Sequence, residues 1–392
     1  MHMKIVKIED LHANAGWRTT SFLKITTDEG LVGWSEYSED VGTKGLTATI
    51  RALGERIIGL DPTRAEWVMA VLYTQTVPAW SGINQHAMAA IGNALLDITG
   101  KALGVPVHAL FGGAVRDRLP VYWSHFGTYR VRYGGRFDLP AVRDYDDVMK
   151  LGEEARRRGF RAMKTNVTLM EDGVLSNFRP GFGTMPGFPA LNPRPEVMRG
   201  LARQLEALRA GAGEDADIML DANFHFRTEG YLELIRTVEP FRLAWLELDT
   251  YDPQSLALLR REAGFPIASG ESLYTRRSYR PFLDAYAMDV AIVDVLWNGF
   301  LEAVKIASLA DTYEVNVAPH NFYGHLADHI SAHFAALVPN LRIMEIDIDD
   351  VPWKGEFVTH QPVIENGEMI VPSRPGWGTD VDEAAVRRRP PN

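Results

Sequence analysis

The chain has 392 residues, of which 46% are hydrophobic and 23% charged, so it can bury a large core and form two structural units. Its net charge of −10 argues against nucleic acid as a main partner. The absence of cysteine excludes disulfides, thiolate nucleophiles and cysteine-ligated zinc. We find no secretory h-region and no apolar run of about 18 residues. We therefore expect a cytoplasmic protein that does not bind membranes.

Residues 1–115 have the pattern of a small α+β unit. Val, Ile, Thr and Phe are frequent in residues 3–13 and 18–38, with a turn at Asp28-Glu29-Gly30, which predicts a hairpin or meander. Three segments with helical periodicity follow, at residues 43–60, 62–78 and 84–103.

Residues 116–349 alternate short apolar runs with amphipathic helices. The runs are 120–125, 160–166, 217–221, 243–247, 266–271, 287–294, 315–320 and 341–345, and the helices include 145–158, 195–210, 228–238, 253–263 and 299–313. This alternation predicts a parallel sheet, and eight strands fit an α/β fold, the (β/α)₈ TIM barrel. Residues 350–392 lack the repeat, and we expect them to pack back on the first unit.

Six consecutive predicted strands end on an ionisable residue. In chain order these are Asp221, Glu247, Glu271, Asp294, His320 and Glu345, separated by 26, 24, 23, 26 and 25 residues. Each separation is one βα unit, and the carboxyl ends of barrel strands form the active site in this architecture. A single acid at a strand end is more often a helix N-cap or a solvated loop residue. Six in register favour a shared site.

The first three of these residues, Asp221, Glu247 and Glu271, predict a metal site. Carboxylates without cysteine or histidine suit a hard cation, and Mg²⁺ takes oxygen ligands in octahedral geometry while keeping positions open. Bound there, it could accept a substrate carboxylate and stabilise the enolate that forms when the α-proton leaves. We therefore expect a small anionic substrate.

Proton abstraction also needs a base. His320 alone would more often be a satisfied interior histidine, but Asp294 one strand earlier can fix its tautomer and raise its basicity. Lys164, at the end of the second predicted strand, is compatible with a Schiff-base nucleophile, a snorkelling surface lysine or a carboxylate-binding group. Next to a metal and an anionic substrate, we favour carboxylate binding.

The sequence resembles the enolase superfamily and, within it, the mandelate racemase group, over nearly the whole chain. The motifs that carry the resemblance are Thr27-Asp28-Glu29-Gly30-Leu31-Val32-Gly33-Trp34, Leu96-Asp97-Ile98-Thr99-Gly100-Lys101-Ala102-Leu103-Gly104, Leu110-Phe111-Gly112-Gly113, Asp221-Ala222-Asn223, Trp245-Leu246-Glu247, Ser269-Gly270-Glu271 and Ala318-Pro319-His320. Each motif is weak alone, but together they are highly specific.

The resemblance implies Mg²⁺ on the three carboxylates and a His320–Asp294 base. It implies a modified TIM barrel at residues 116–349, with a capping domain built from residues 1–115 and the tail 350–392. Asn223 then matches a substrate-binding amide, and Glu345 an acid that hydrogen-bonds the substrate carboxylate or enolate. A homo-oligomer, from dimer to octamer, is also implied.

The sequence departs from the group at the second barrel strand, which usually ends Lys-x-Lys. Here Lys164 matches the carboxylate-binding lysine. Asn166 takes the place of the second lysine, which is a base in the group, and we expect Asn166 to bind substrate. Losing that base disfavours racemisation and favours dehydration of a sugar acid. His225 is a candidate for the missing acid on that side, against the plainer alternative of an exposed loop histidine. Leu248 replaces a frequent second glutamate, and Asp249 is a candidate for the same outer role.

Two further features of the sequence lie outside these motifs. Residues 167–193 are rich in Gly, Pro and Phe and lack periodicity, which predicts a lid, a specificity element or an oligomer contact. His325, His329 and His333 are spaced by four, which could provide zinc ligands but more often indicates a packed helix face.

The competing functions are a racemase, epimerase or cycloisomerase using the same metal and enolate, a Schiff-base aldolase using Lys164, and a binding protein that has lost catalysis. The complete set of ligands and base argues against the last.

Overall fold

An antiparallel sheet and three helices form the first part of the computed structural model, which describes residues 3–40, 43–180 and 193–391. The strands β1 (Ile5–Asn14), β2 (Thr19–Thr27) and β3 (Val32–Tyr37) form a meander. The helices are α1 (Leu46–Gly54), α2 (Ala65–Thr76) and α3 (Ile83–Leu103). The expected elements are present, although α1 ends earlier than predicted because Gly54 is followed by turns.

Helix α3 packs directly on the meander. A Cβ atom added at Gly33 in β3 would lie 2.1 Å from the carbonyl oxygen of Ala94 in α3. Only glycine therefore allows this approach, and the close contact makes the sheet and helix one layer pair.

The barrel strands follow in chain order. They are β4 (Arg118–Trp123), β5 (Ala162–Asn166), a hairpin of β6 (Thr168–Glu171) and β7 (Val174–Asn177) that lies outside the barrel, then β8 (Asp217–Asp221), β9 (Trp245–Glu247), β10 (Ile267–Ser269), β11 (Val290–Asp294), β12 (Asn316–His320) and β13 (Met344–Ile346). Parallel pairing runs from β4 to β12 in that order, and β13 pairs with β4. A bridge between Val317 and Leu341 closes the circle. The predicted TIM barrel is confirmed.

The outer layer contains nine helices within the described part of this region. They are α4 (Thr128–Phe137), α5 (Tyr145–Arg157), α6 (Pro195–Ala212), α7 (Thr228–Val238), α8 (Pro253–Glu262), α9 (Thr275–Asp284), α10 (Val295–Asn298), α11 (Phe300–Asp311) and α12 (His325–Leu337). The five predicted helices are among them. Helix α12 contains the His325, His329 and His333 spacing that also indicated a helix, and α4, α9 and α10 were not named among the predicted helices.

Residues 167–193 were predicted to lack regular structure, and this is wrong at 168–177, where β6 and β7 pair antiparallel. Leu169 and Leu175 are buried, and α6 packs on β6. Two four-residue strands are too short to show a clear period in the sequence, and packing against α6 stabilises them. Residues 181–192 of this stretch lie outside the described residues.

The barrel interior is filled below the site by an apolar cluster that includes Tyr122, Met219, Trp245 and Ile292, all at most 2% exposed. Tyr122 and Trp245 pack edge to face at 5.5 Å. This plug keeps water and side chains from entering the site from below.

The last segment contacts both the barrel and the first part of the chain. β14 (Ile364–Glu365) and β15 (Glu368–Ile370) form a hairpin, and β15 pairs antiparallel with β4. The backbone N–H of Trp377 donates to Asp97, and α13 (Glu383–Arg388) lies on β1. The exact segment boundaries near residues 115 and 350 stay predictions. No helix in the described ranges is long and apolar enough to cross a membrane.

Asp97 joins three parts of the chain and gives a test of this packing. Its buried carboxylate accepts from the backbone of Trp34 and Trp377, both at 2.9 Å, and from Lys101 at 2.6 Å. Asp97→Ala leaves the two backbone donors unpaired and takes from Lys101 one of its two carboxylate partners, the other being Asp380. We expect a loss of about 3–5 kcal/mol in the free energy of unfolding, measured in urea. Asp215→Ala, at an exposed position, should change it by less than about 0.5 kcal/mol. Equal effects would contradict the role of Asp97.

Candidate active site

Three carboxylates meet at the barrel mouth. Asp221 ends β8, Glu247 ends β9, and Glu271 follows β10 by two residues. One oxygen from each lies within 4.8 Å of the others, and among the described residues this is the sole group of three or more metal-ligating side chains. The parallel register explains the meeting, because Asp221 and Glu247 are direct neighbours across β8 and β9.

Glu271 was expected at the end of a strand, but β10 ends at Ser269. Asp249 holds the intervening turn. Its carboxylate accepts from the Ser269 hydroxyl at 2.7 Å, from the Gly270 backbone at 2.8 Å and from the Ser272 hydroxyl at 2.7 Å. Asp249 therefore positions Glu271, which agrees with the outer role suggested by the sequence.

Lys164 provides the buried positive charge between these carboxylates. Its Nζ lies 2.9 Å from Glu247, 3.0 Å from Glu345 and 3.9 Å from Asp221. Burial disfavours the charged ammonium, but Glu247 and Glu345 outweigh it and raise the pKa of Lys164 well above its usual value. A lysine held in the ammonium form is a poor Schiff-base nucleophile.

The triad fits a divalent cation. The Glu247 Oε1 atom is buried with no hydrogen-bond partner in the described structure, and such an atom is costly unless something binds it. Burial raises the pKa of Glu247 to about 7, opposed by Lys164 and supported by Asp221 and Glu345. Burial and neighbouring acids also raise the pKa of Glu271. A hard cation would remove this repulsion and satisfy the free oxygen.

His320 and Asp294 form the expected pair. They are direct neighbours across β12 and β11, and His320 Nδ1 lies 2.7 Å from Asp294 Oδ2. Asp294 is fixed by the backbone N–H groups of Leu296 and Trp297, both at 2.8 Å, and by the Tyr323 hydroxyl at 2.5 Å. A carboxylate can only accept, so Nδ1 carries a proton and Nε2 is the atom directed to the cavity.

The charge on His320 depends on Glu271. Burial alone would lower the pKa of His320, but Glu271, Asp294 and Glu345 together raise it to about 10. Its Nε2 lies 3.3 Å from Glu271. A cation bound to Glu271 would weaken this attraction and so favour the neutral imidazole that a base requires.

Glu345 lies in the middle of β13 instead of ending it. It accepts from the Ser124 hydroxyl, from the Asn321 backbone at 2.8 Å and from Lys164. Burial opposes ionisation, but Lys164, His320 and His125 outweigh it and lower the pKa of Glu345 to about 2. In this arrangement Glu345 accepts hydrogen bonds and does not donate them, unlike the acid that the sequence suggested.

Asn166 and Asn223 both orient Asp221. Asn166 Nδ2 donates to Asp221 Oδ2 at 3.1 Å, and Asn223 donates to Oδ1 from its backbone at 2.9 Å and from its side chain at 2.7 Å. Asn223 has a left-handed backbone, with φ +46°, which asparagine tolerates better than most residues. Both amides also line the cavity.

His225 lines the same cavity but is 1% exposed, so the plainer alternative of an exposed loop histidine is wrong. Its ring packs edge-on against Phe178 at 5.6 Å. Burial lowers the pKa of His225 to about 3. A histidine that stays neutral at pH 7 is poorly suited to be the acid considered for it.

The cavity above the triad has a volume of about 890 Å³, including space open to solvent. Sequence reasoning missed many of its wall residues, namely Trp17, His125, Thr128, Tyr129, Arg132, Tyr133, Asn177, Arg179, Trp297 and Phe322. His125 could have been found, because it ends the predicted run 120–125 in the same manner as the six strand-end residues. Trp17 and Arg179 carry no comparable signal, since only the packing of distant segments places them here.

The first part of the chain closes over this cavity. Trp17, between β1 and β2, stacks on Tyr133 at 5.0 Å. Arg18 donates to the carbonyl oxygens of Phe322 and Tyr323, and Glu36 accepts from the backbone of Gly324 at 2.6 Å. The loop after His320 is thus held from the cap.

The predicted packed helix face is confirmed for the three histidines spaced by four, His325, His329 and His333. His325 pairs with Asp328 at 2.8 Å, and His329 Nδ1 lies 3.0 Å from the Trp377 carbonyl. Burial lowers the pKa of His329 to about 4 and that of His333 to about 3. Among the described residues the three do not form a metal-binding group.

Comparisons with known proteins agree with this geometry. Residues 13–112 match the N-terminal domain of mandelate racemase / muconate lactonizing enzyme, and residues 147–385 match the enolase C-terminal domain-like family. The chain belongs to the mandelate racemase / muconate lactonizing enzyme family of the enolase superfamily. The resemblance noted in the sequence is confirmed.

Relatives of this family member include enzymes with different names. The D-galactonate dehydratase of Ralstonia nicotianae is 31% identical over 404 residues, covering 99% of this chain and 94% of that protein. A solved Burkholderia xenovorans LB400 protein, provisionally assigned as an L-alanine-DL-glutamate epimerase, is 50% identical, with TM-score 0.97 over 99% of this chain and 98% of that one. It has also been solved bound to magnesium and fumarate. A provisionally assigned dehydratase from Zymomonas mobilis ZM4 is 27% identical, with TM-score 0.88 over 98% of each chain.

The Asp294–His320 bond makes a prediction about tautomers. In Asp294→Asn, Oδ1 can still accept from the Leu296 and Trp297 backbone, so Nδ2 faces His320. The imidazole Nδ1 must then accept, and the proton moves to Nε2. We expect ¹⁵N NMR of His320 to show this exchange of tautomer at a pH where the ring is neutral. An unchanged Nδ1–H form would contradict the assignment of Asp294.

Proposed function

We propose that this protein is a Mg²⁺-dependent dehydratase of an acid sugar, an aldonate or aldarate. It removes the proton α to the carboxylate and eliminates the β-hydroxyl, giving a 2-keto-3-deoxy acid. The observation that carries the proposal is the metal-type triad combined with the strand-end dyad His320–Asp294, at a mouth where Asn166 replaces the lysine base of the family pattern. The name of the Ralstonia relative, a D-galactonate dehydratase covered nearly end to end, supports it.

The ligands proposed for Mg²⁺ are Asp221, Glu247 and Glu271. Once bound, the ion would supply positive charge to the substrate carboxylate and to the negative charge that develops at it. The magnesium-bound state of the Burkholderia protein supports this choice of cation.

The protein side chains supply the proton transfers. His320 Nε2 takes the α-proton, while Asp294 keeps the other ring nitrogen protonated and stabilises the resulting imidazolium. Lys164, held by Glu247 and Glu345, adds positive charge beside the substrate carboxylate. The electron pair released at the α-carbon then forms the α,β double bond, while the β-hydroxyl takes up a proton and leaves as water, and the enol product ketonises.

The cavity wall suits a polyhydroxylated anion. Asn166, Asn223 and Thr128 present hydrogen-bonding groups, and Arg132 and Arg179 add positive charge to the wall. Bidentate arginine contacts are a frequent means of holding carboxylates. The wall therefore has a place for the second carboxylate of an aldarate as well as for the hydroxyls of an aldonate.

An epimerase or racemase is the second candidate, with a cycloisomerase of the same superfamily behind it. The provisional epimerase assignment of the 50% identical Burkholderia protein favours this alternative. Both chemistries start with loss of the α-proton, and they separate at the next step: a dehydratase forms a 2-keto acid, whereas an epimerase returns the proton on the other face. Product analysis decides between them. A Schiff-base aldolase and a non-catalytic binding protein are less well supported.

The biological setting remains part of the proposal. We propose a small-molecule sugar-acid substrate without nucleic-acid or membrane partners, a cytoplasmic location, and assembly as a homo-oligomer.

Magnesium binding can be tested without substrate. Mg²⁺ should raise the melting temperature of the wild type, since binding to the folded state adds about 2.7 kcal/mol at a hundredfold excess over Kd. Asp221→Asn should abolish this shift because it removes one ligand charge. Glu262→Gln, at an exposed position on α8, is the control and should keep it. Equal shifts in wild type and Asp221→Asn would contradict the triad as the metal site.

The reaction can be tested with a library of aldonates and aldarates, measuring 2-keto acid formation. His320→Asn should lower turnover of the best substrate by at least about 100-fold, as expected for loss of a general base. Its Mg²⁺-dependent shift in melting temperature should remain, because His320 is not a metal ligand. Full activity in this variant would refute the proposed mechanism.

A further inference from the structure

A second histidine–carboxylate pair faces the active-site cavity. His125 follows β4, and its Nδ1 lies 3.0 Å from Oδ1 of Asp347, which follows β13. β13 and β4 are neighbours, with Ile346 opposite Trp123. The pair therefore repeats the arrangement of Asp294 and His320, in which neighbouring barrel strands carry a carboxylate and the imidazole that it orients.

The orientation of His125 is fixed on several sides. Its ring stacks on Tyr129 with centroids 4.1 Å apart and planes at 8°. Its backbone has φ +47°, a strained conformation that occurs mostly where local structure or function requires it. The carboxylate of Asp347 can only accept, so Nδ1 carries a proton and Nε2 is the atom left for a ligand.

His125 is open to the same cavity as the triad and His320. Its side chain keeps 23% exposure, whereas that of Asp347 is fully buried. Phe322 lies between the two imidazoles, 6.0 Å from His125 and 4.9 Å from His320 by ring centroids. Both rings therefore line the cavity in which we propose that the sugar acid binds.

We propose that His125 is a second proton-transfer residue, the general acid that protonates the departing β-hydroxyl. This inference rests on the proposed dehydratase function. It assigns the acid to the first barrel strand, next to β5 where Asn166 has an amide that cannot transfer protons. Thr128 lies between these two residues. Its hydroxyl donates to the His125 carbonyl oxygen or to Asn166 Oδ1.

The proposed role transfers one proton from His125 to the departing oxygen. His320 has taken the α-proton. His125 begins the step as the imidazolium, with its Nδ1 proton bonded to Asp347 and a second proton on Nε2. The electron pair at the α-carbon forms the α,β double bond and the bond from the β-carbon to its hydroxyl oxygen breaks. The Nε2 proton of His125 moves to that oxygen, so water leaves and His125 becomes neutral. The enol takes a proton at the β-carbon, loses its hydroxyl proton and becomes the 2-keto acid. Exchange with solvent then returns both histidines to their starting states, with no oxidant or reductant involved.

The experiment compares three measurements on His125→Asn in the Mg²⁺-loaded enzyme with the best substrate of the library. Dehydration should fall by about 100-fold to 10,000-fold, the range for loss of a positioned acid. Exchange of the α-hydrogen in ²H₂O should persist, because it requires His320 and not His125. Elimination from an analogue with fluorine replacing the β-hydroxyl should stay within a few-fold of wild type, since fluoride leaves without a full proton.

Two further variants act as controls. His360→Asn alters an exposed histidine outside the cavity and should leave all three measurements unchanged. His125→Gln, with its melting temperature compared to wild type, replaces His125→Asn if the latter does not fold. A structural role for His125 would lower exchange, fluoride elimination and dehydration together.

The outcomes separate the two proposals. Dehydration within threefold of wild type in the His125 variants, or equal loss of all three measurements, would overturn the role of His125 and leave the dehydratase intact. A wild-type enzyme that forms no 2-keto acid from any acid sugar would refute the dehydratase and, with it, this role.

Discussion

Repulsion between buried carboxylates is the constraint on which the rest of the site depends. Asp221, Glu247, Glu271 and Glu345 crowd one barrel mouth, and Lys164 lies between them with contacts to three. Charges removed from water are stable only when paired. The lysine compensates part of the excess negative charge. Burial, together with Asp221 and Glu345, still raises the pKa of Glu247, and its Oε1 atom has no hydrogen-bond partner in the described structure. Both observations favour a divalent cation at this position.

The barrel brings these charged residues together at one end of its strands. Neighbouring parallel strands end at the same level, so residues about 25 positions apart in sequence become direct neighbours, as Asp294 and His320 do. His125 and Asp347 form a second pair of this kind, because they follow the neighbouring strands β4 and β13. An apolar plug containing Tyr122 and Trp245 closes the barrel below, so the charged groups interact in a medium of low polarity, where their effects on one another are strong.

The cap makes the site complete. Arg18 and Glu36 hold the backbone of the loop that follows His320, and Trp17 stacks against Tyr133 in the cavity wall. These contacts connect the position of the β12 loop to the packing of the antiparallel meander. A substitution at Arg18 or Glu36 would therefore shift the loop that carries Phe322, next to His320. The tail also packs on the cap, because the Trp377 backbone donates to Asp97 in α3.

The sequence by itself determined the barrel, the meander and the ionisable residues at the strand ends, because strand–helix periodicity and one-unit spacing are local and repetitive. It did not reveal the hairpin at 168–177, the ionised state of Glu345 or the burial of His225, since each depends on which distant groups pack against it. Only the tertiary structure decided that Lys164 is shared between Glu247 and Glu345, and that His125 meets Asp347. Those contacts join residues 83, 181 and 222 positions apart, and distances of that kind are set by barrel closure and not by local sequence.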